Sequence, residues 1–291
     1  TIGGNPGENL TPLDIVKFTA AFATSLDRSA GNNKIVIGRD GRISGQMVSE
    51  LCANTLIACG FDVIDLGLTT TPTVEIAVKE ENATGGIILT ASHNPKEWNA
   101  LKLLDSNGEF LNAEAGEKVL SIAENESFTF VPVDKIGTYK KDDSYLQKHI
   151  DAVVNYDLVD VDAIKKAKFK IVVDPINSSG AVYIPALLKA LGVKDIIVIN
   201  EEVNGKFEHN PEPLPKNLIS LSNEVVKQKA SLGIAVDPDV DRLCFVCEDG
   251  SMFGEEYTLV AVADYILTHR KGNTVSNMSS TKSLKEITYK H

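Results

Sequence analysis

The strongest constraint on how this chain can fold is that it repeats itself. Lys34-Ile35-Val36-Ile37-Gly38 is a short apolar run rich in β-branched residues, too short for a helix, and reads as a buried strand. A polar turn, Arg39-Asp40-Gly41-Arg42-Ile43-Ser44-Gly45, leads into a helix over about residues 46–58 and then a strand over 62–67. The same plan returns at Lys170-Ile171-Val172-Val173-Asp174, where Ser178-Ser179-Gly180 opens a helix to about residue 191 and a strand follows at 195–199. Strand, helix and strand in succession require a sheet with parallel strands. The repeat also aligns Gly86-Ile87-Ile88-Leu89 with Gly233-Ile234-Ala235-Val236, so the loops after these two runs hold the same position in successive domains. The expected class is α/β: repeated domains with mixed, largely parallel sheets flanked by helices, and an active-site cleft between domains.

Chemistry concentrates in those two loops. Thr90-Ala91-Ser92-His93-Asn94-Pro95 places a hydroxyl, an imidazole and an amide just past the carboxyl end of a strand, where open α/β sheets bind ligands. Pro95 steers Asn94 away from helix. Taken alone, the loop is equally compatible with a plain turn, since Ser, Asn and Pro all favour turns. Its counterpart, Asp237-Pro238-Asp239-Val240-Asp241-Arg242, sets three carboxylates at alternate positions. In an extended segment these project to one side, and like charges that close repel unless a cation sits among them. Oxygen-only donors favour magnesium or calcium over zinc; the alternative is a solvated acidic turn. If the two domains meet face to face, serine and metal share one cleft.

Composition narrows the remaining classes. The net charge of -11 argues against nucleic acid or an anionic membrane as the main partner. No apolar run reaches the roughly 18 residues of a membrane span, and Thr1-Ile2-Gly3-Gly4-Asn5 lacks the basic-then-hydrophobic pattern of a signal peptide, so a cytoplasmic protein is expected. The four cysteines, Cys52, Cys59, Cys244 and Cys247, suggest no disulfide framework; the C-x-x-C spacing at 244–247 lies in an apolar strand-like run and reads as core. Residues 1–10 are expected to be irregular, Thr11-Pro12-Leu13-Asp14 to open a helix with Thr11 as its cap, and 145–154 to form a connecting helix. Gly254-Glu255-Glu256 reads as a further helix start, its glutamates suited to the helix dipole. Asn273-Thr274-Val275-Ser276-Asn277 reads as a strand, Ser279-Ser280 repeats the serine-rich turn, and 284–289 begins a helix, as though a third copy started there. The expected division is 1–143, 144–245, and a truncated third domain over 246–291.

In order and spacing these segments resemble the α-D-phosphohexomutases, the group that includes phosphoglucomutase, phosphomannomutase and phosphoglucosamine mutase. The resemblance rests on Gly38-Arg39-Asp40 with Arg42 and Ser44-Gly45, on the Thr-Ala-Ser-His-Asn-Pro loop at 90–95, and on the Asp-Pro-Asp-Val-Asp-Arg loop at 237–242, and it covers essentially the whole chain. It implies that Ser92 is carried as a phosphoserine, and that Ser92, Asp237, Asp239 and Asp241 hold Mg2+. It implies that Lys102, ten residues after the serine, acts with His93 in proton transfer or in positioning a sugar hydroxyl, and that Arg39 and Arg242 donate to phosphate. The implied activity is an intramolecular phosphotransfer between the 1- and 6-positions of a hexose or hexosamine phosphate. Phosphoserine gives its phosphoryl group to the sugar, the 1,6-bisphosphate turns round in the cleft, and the other group returns to Ser92. The family's Gly-Ile-Arg-Gly-like opening, its sugar-recognition loop and its phosphate-gripping fourth domain are not found in this stretch, which is therefore expected to be a fragment incomplete for turnover. Two other activities use the same residues: a phosphatase, and an inert sugar-phosphate-binding paralogue. Neither the preferred sugar nor the oligomeric state is legible.

Overall fold

The computed structural model describes residues 1–28, 32–278 and 280–291. Its first sheet contains β1 (Lys34–Arg39), β2 (Asp62–Leu68), β3 (Gly85–Leu89), β4 (Leu101–Leu104) and β5 (Tyr139–Lys141) in the order β4-β3-β1-β2-β5. All pairings are parallel except β3 with β4. The second sheet contains β6 (Lys170–Asp174), β7 (Asp195–Val198), β8 (Leu232–Val236) and β9 (Leu243–Cys247) in the order β7-β6-β8-β9, again with only the last pair antiparallel. The two sheets thus share one plan, with β1, β2, β3 and β4 matched by β6, β7, β8 and β9. The expected α/β class and its mixed, largely parallel sheets are both present.

The repeat extends to the helices. Flanking the first sheet are α1 (Pro12–Ser25), α2 (Gly45–Ala58), α3 (Thr71–Glu80) and α4 (Ala113–Glu124); α5 (Tyr145–Val154) connects to α6 (Val161–Ala167), α7 (Gly180–Ala190) and α8 (Ile219–Gln228) around the second. Alternate residues of the strands feed opposite faces. Ile35, Ile37, Ile87 and Leu89 join Val48, Cys52 and Leu56 of α2 in one core, while Val36 and Ile88 join Val74, Ala77 and Val78 of α3 in another. In the second sheet Val172 and Ala235 pack with Leu221 and Val225 of α8, and Ile171, Val173, Ile234 and Val236 pack on the other side with Leu188 of α7. Strands buried on both faces explain the continuous apolar runs in the sequence. Gly86 and Gly233 hold equivalent places for one reason: a Cβ would lie 2.6 Å from Val78 Cγ2 and 2.7 Å from Val225 Cγ2, so each glycine lets a helix approach its strand.

At the start of α1, Thr11 caps as the sequence predicts: its side chain accepts from the Asp14 N–H, and the Asp14 carboxylate accepts from the Thr11 N–H at 2.9 Å. Cys244 and Cys247 stand three residues apart on β9 and so face opposite sides of the sheet, which suits core packing rather than a redox pair. β9 runs to Cys247, across the expected boundary at 245. Residues 273–277 do not form the expected strand. Val275 is 93% exposed, and among the described residues no strand pairs with this segment; without a ladder its β-branched character has nothing to act on. Ser279 lies outside the described residues. The segment instead joins α9 (Glu255–His269), which starts where Gly254 predicts, to α10 (Ser283–Lys290). Among the described residues no helix is long and apolar enough to cross a membrane.

The two sheets are pinned at the carboxyl ends of β1 and β6. Fully buried Ser178 accepts from the Gly41 N–H at 2.8 Å and donates to the Pro238 carbonyl at 2.7 Å. A Cβ at Gly41 would fall 2.8 Å from Ser178 Cα, so glycine is needed for this approach. Thr69 of the first sheet and Tyr183 of α7 share a hydroxyl–hydroxyl bond of 2.8 Å. Replacing Ser178 by Ala strands a buried N–H and a buried carbonyl. Ser178→Ala is expected to cost about 1–3 kcal/mol in urea unfolding; an unchanged midpoint would show that the junction does not rely on this hydroxyl.

Candidate active site at the sheet junction

The serine loop is built around Asp40 and Arg42. Asp40 is fully buried at the end of β1, and its carboxylate accepts from the Arg42 backbone N–H and Nε, both at 2.9 Å, and from the Thr90 hydroxyl at 2.7 Å. The Thr90 hydroxyl in turn accepts from the Ser92 N–H at 2.9 Å. Arg42, whose side chain is also fully buried, spreads its remaining donors over the loop: Nη1 reaches the carbonyls of Pro95 and Trp98, and Nη2 those of Ser92 and Asn94, at 2.5–2.9 Å. A planar fork can serve four carbonyls at once; an ammonium cannot. Burial raises the Asp40 carboxyl to about 6, against the pull of Arg42. The outcome for Ser92 is a left-handed backbone (φ 48°), sparsely populated for a residue with a Cβ and held here by its surroundings.

The aspartate loop reaches its convergence by a route the sequence does not suggest. Rather than alternating in an extended segment, residues 237–241 fold into a turn: the Val240 N–H bonds the Asp237 carbonyl at 3.1 Å, and Asp237 Oδ1 accepts the N–H groups of Asp241 and Arg242 at 3.1 Å each. Val240 takes φ 60°, a true outlier for a β-branched residue. Each aspartate nonetheless offers an oxygen within 4.8 Å of the others.

The junction brings the two loops together. Ser92 Oγ donates to Asp237 Oδ2 at 2.8 Å, and Lys102 of β4 reaches Asp239 Oδ2 at 2.7 Å and Asp241 Oδ2 at 3.0 Å. His93 Nδ1 lies 3.4 Å from Ser92 Oγ. Burial, reinforced by the charges of Asp239 and Asp241, raises Asp237 to about 8. Burial would raise Asp239 as well, but Lys102 and the Thr71 hydroxyl outweigh it and hold its carboxyl below the ordinary value. Against its own burial, Lys102 is held above the ordinary lysine value by Asp239 and Asp241.

Two predicted residues sit less centrally. Arg39 turns away from the serine, its guanidinium donating to the Asp40 carbonyl and to Gln46 Oε1, in a depression bordered by Asp65, Tyr139 and Lys141. It leaves β1 one residue before Asp40, and strand alternation sends the two side chains to opposite faces. Arg242 follows the aspartates but lies 3.8 Å from Glu212 at a partly exposed position. The sequence-level candidates also omit three groups. Arg42 appears there only as part of a motif, although Asp and Arg around a glycine is a signal for a buried pair. Thr71 donates to Asp239 Oδ2 at 2.6 Å; its signal is the run Thr69-Thr70-Thr71-Pro72 at the end of β2, a hydroxyl-rich helix start facing the same edge. Glu75, one turn further along α3, has its carboxyl raised by burial and then by Asp241.

The donor set suits a hard cation. Three aspartate side chains converge on one ammonium, so that ionising all of them leaves an excess of negative charge, and Asp239 Oδ1 is buried without a hydrogen-bond partner. A divalent ion bound by oxygen answers both conditions. Removing the guanidinium should be severe: Arg42→Met is expected to cost about 3–5 kcal/mol, read by urea unfolding through Trp98, the chain's one tryptophan, on the same loop. A loss below about 1 kcal/mol would contradict the clamp. Because the folded pKa of Asp237 is raised, its contribution is present below the unfolded value and is lost as pH climbs from about 4 towards about 8. In EDTA, Asp237→Asn, which mimics the protonated acid, should gain thermal stability over the parent between pH 5 and pH 9; a constant gap in melting temperature would refute the buried charge.

Residues 2–130 match the α/β/α domain I of phosphoglucomutase/phosphomannomutase, and residues 147–250 match its α/β/α domain II. A phosphoglucomutase/phosphomannomutase of Thermococcus kodakarensis is 36% identical over 285 residues, 97% of this chain and 62% of that protein. A "Probable phosphoglucosamine mutase" of Pyrococcus abyssi is 34% identical over 274 residues, 94% of this chain and 58% of that protein. The chain therefore spans less than two thirds of the length of these relatives. The crystal structure of a phosphoglucomutase/phosphomannomutase family protein from Burkholderia thailandensis shares the fold, with a TM-score of 0.81 at 24% identity over 98% of this chain and 62% of that one. With two consecutive domains matched in order, the chain belongs to the phosphoglucomutase/phosphomannomutase family, the α-D-phosphohexomutases.

Proposed function

We propose that this chain carries the phosphoserine and metal centre of a phosphohexomutase that acts on a hexose or hexosamine phosphate through its 1,6-bisphosphate. The observation that carries the reading is the 2.8 Å bond from Ser92 Oγ to Asp237 Oδ2, made between two sheets and beside Asp239 and Asp241. A phosphoryl group on that oxygen would face three carboxylates, an arrangement tolerable only with a cation among them.

Ser92, Asp237, Asp239 and Asp241 would hold Mg2+. When bound, it supplies neutralisation of charge on the phosphoryl oxygens during transfer. In the forward transfer the bond from Ser92 Oγ to phosphorus breaks, Oγ taking a proton from Asp237, while a sugar hydroxyl oxygen bonds to phosphorus and gives its proton to the imidazole of His93; in the return the roles reverse. Asp237 accepts the hydrogen bond of the free serine, and so stands where its proton must go when Oγ takes up a phosphoryl group. His93, 3.4 Å from Oγ, is the neighbouring imidazole, and Lys102, held as an ammonium, sets positive charge against Asp239 and Asp241. Arg242, at the partly exposed end of the loop, would swing from Glu212 to a substrate phosphate. Arg39 is proposed in the same role only after a change of rotamer away from Gln46.

Incubation with Mg2+ and glucose 1,6-bisphosphate should add one phosphoryl group, mapped to Ser92 by intact mass and peptide analysis. Ser92→Ala should abolish the label and Asp239→Ala should reduce it by at least about 100-fold, in line with the loss of a metal's charge stabilisation of several kcal/mol. Ser92 unlabelled in this chain and in any longer natural form of it would sink the mutase reading in favour of an inert paralogue. Steady release of inorganic phosphate would mark a phosphatase.

A further inference from the structure

We propose that Thr71 is a positioning residue for the metal centre, fixing the Asp239 carboxylate so that one oxygen is spent on protein contacts and the other is left for the cation. The inference rests on reading the aspartate cluster as a metal site. Its grounds lie in how unevenly the two oxygens of Asp239 are treated. Oδ2 receives the Thr71 hydroxyl at 2.6 Å and the Lys102 ammonium at 2.7 Å, while Oδ1 is buried and has no partner. A buried carboxylate oxygen without a donor is costly, and native structures keep one where another ligand completes it.

Thr71 is well placed to enforce this asymmetry. It is the first residue of α3, and its backbone N–H also bonds the Asp239 carbonyl at 2.9 Å, so one residue grips both the main chain and the side chain of the aspartate. Thr71 is itself fixed. Thr70 caps α3 by accepting from the Thr73 N–H, the Thr70 and Thr73 hydroxyls share a 2.6 Å bond, and the Thr73 hydroxyl meets His149 Nδ1 at 2.8 Å. The preceding residue, Thr69, bonds Tyr183 across the junction. The run 69–73 therefore acts as a rail that carries the position of the first sheet to an aspartate of the second. Asp237 is oriented differently, by its own loop's N–H groups and by Ser92. Asp239 lacks such backbone support for its carboxylate and depends on a side chain from the other sheet.

The test is Mn2+ binding, followed by calorimetry and by the electron paramagnetic resonance signal of the free ion, on the parent, Thr71→Val, Thr71→Ser and Asp239→Asn. Thr71→Val keeps the shape and removes the hydroxyl; it should weaken Mn2+ binding about 10–100-fold, the usual effect of deleting a group that orients a ligand. Thr71→Ser should stay within about threefold of the parent, a rescue that general damage to α3 would not give. Thr71→Val binding as the parent does, or Thr71→Ser as weak as Thr71→Val, overturns the proposal while leaving the metal site standing. A parent that binds no better than Asp239→Asn overturns the metal site itself, and the proposal with it. Should Thr71→Val fail to fold, as judged by its melting curve, Thr71→Ala carries the same comparison.

Discussion

Three carboxylates gathered between two sheets repel one another, and the containment of that repulsion organises much of this molecule. Asp237 and Asp239 are fully buried. Each has been given donors from elsewhere in the chain: Ser92 for Asp237, Lys102 and Thr71 for Asp239, with Lys102 extending to Asp241. All three donors come from the first sheet or from segments leaving it, while the acceptors come from the second. Electrostatic need and domain docking thereby share these bonds, which act beside the neutral Gly41–Ser178 and Thr69–Tyr183 contacts at the same edge of the sheets.

The repeat gives that edge its composition. β3 and β8 are equivalent strands, each buried on both faces and each beside an antiparallel neighbour. One ends in a serine loop and the other in an aspartate loop. Both loops contain a non-glycine residue in the left-handed region, Ser92 and Val240. Strain within the equivalent loops of two copies, three residues past β3 in one and four past β8 in the other, fits loops that must reverse abruptly at a strand end to present side chains to a partner. What differs is the support. The serine loop is held from within its own sheet by Arg42 and Asp40, whereas the aspartate loop is held by its own Asp237 Oδ1 together with Ser178 and, from the first sheet, Thr71.

Much of this was legible in the residues. Apolar β-branched runs bounded by glycine located the central strands because those strands are buried on both faces, and the Thr11–Asp14 pattern located a helix start because capping is local chemistry. Ser92 and the three aspartates were picked out by residue type and loop position and Lys102 by the family resemblance, and the structure bonds Ser92 to Asp237 and Lys102 to Asp239 and Asp241. The rest depended on long-range geometry. The carboxylates converge through a turn at Val240 rather than through strand alternation; Arg39 and Arg42 are indistinguishable by residue type, and only the strand face and the neighbouring carbonyls separate them. Thr71 looks like an ordinary helix start until the second sheet is docked against it. The segment at 273–277 shows the converse, since local β preference made no strand where no partner strand was present.

Because Ser92 and Asp237 lie 145 positions apart on different sheets, neither half of the chain owns the site. In chain order the serine and the arginine that holds its loop both precede the three aspartates by more than a hundred positions. The serine hydroxyl therefore has its carboxylate partner only once the second sheet has docked on the first. The bond between serine and aspartate is thus a readout of completed docking between the two sheets.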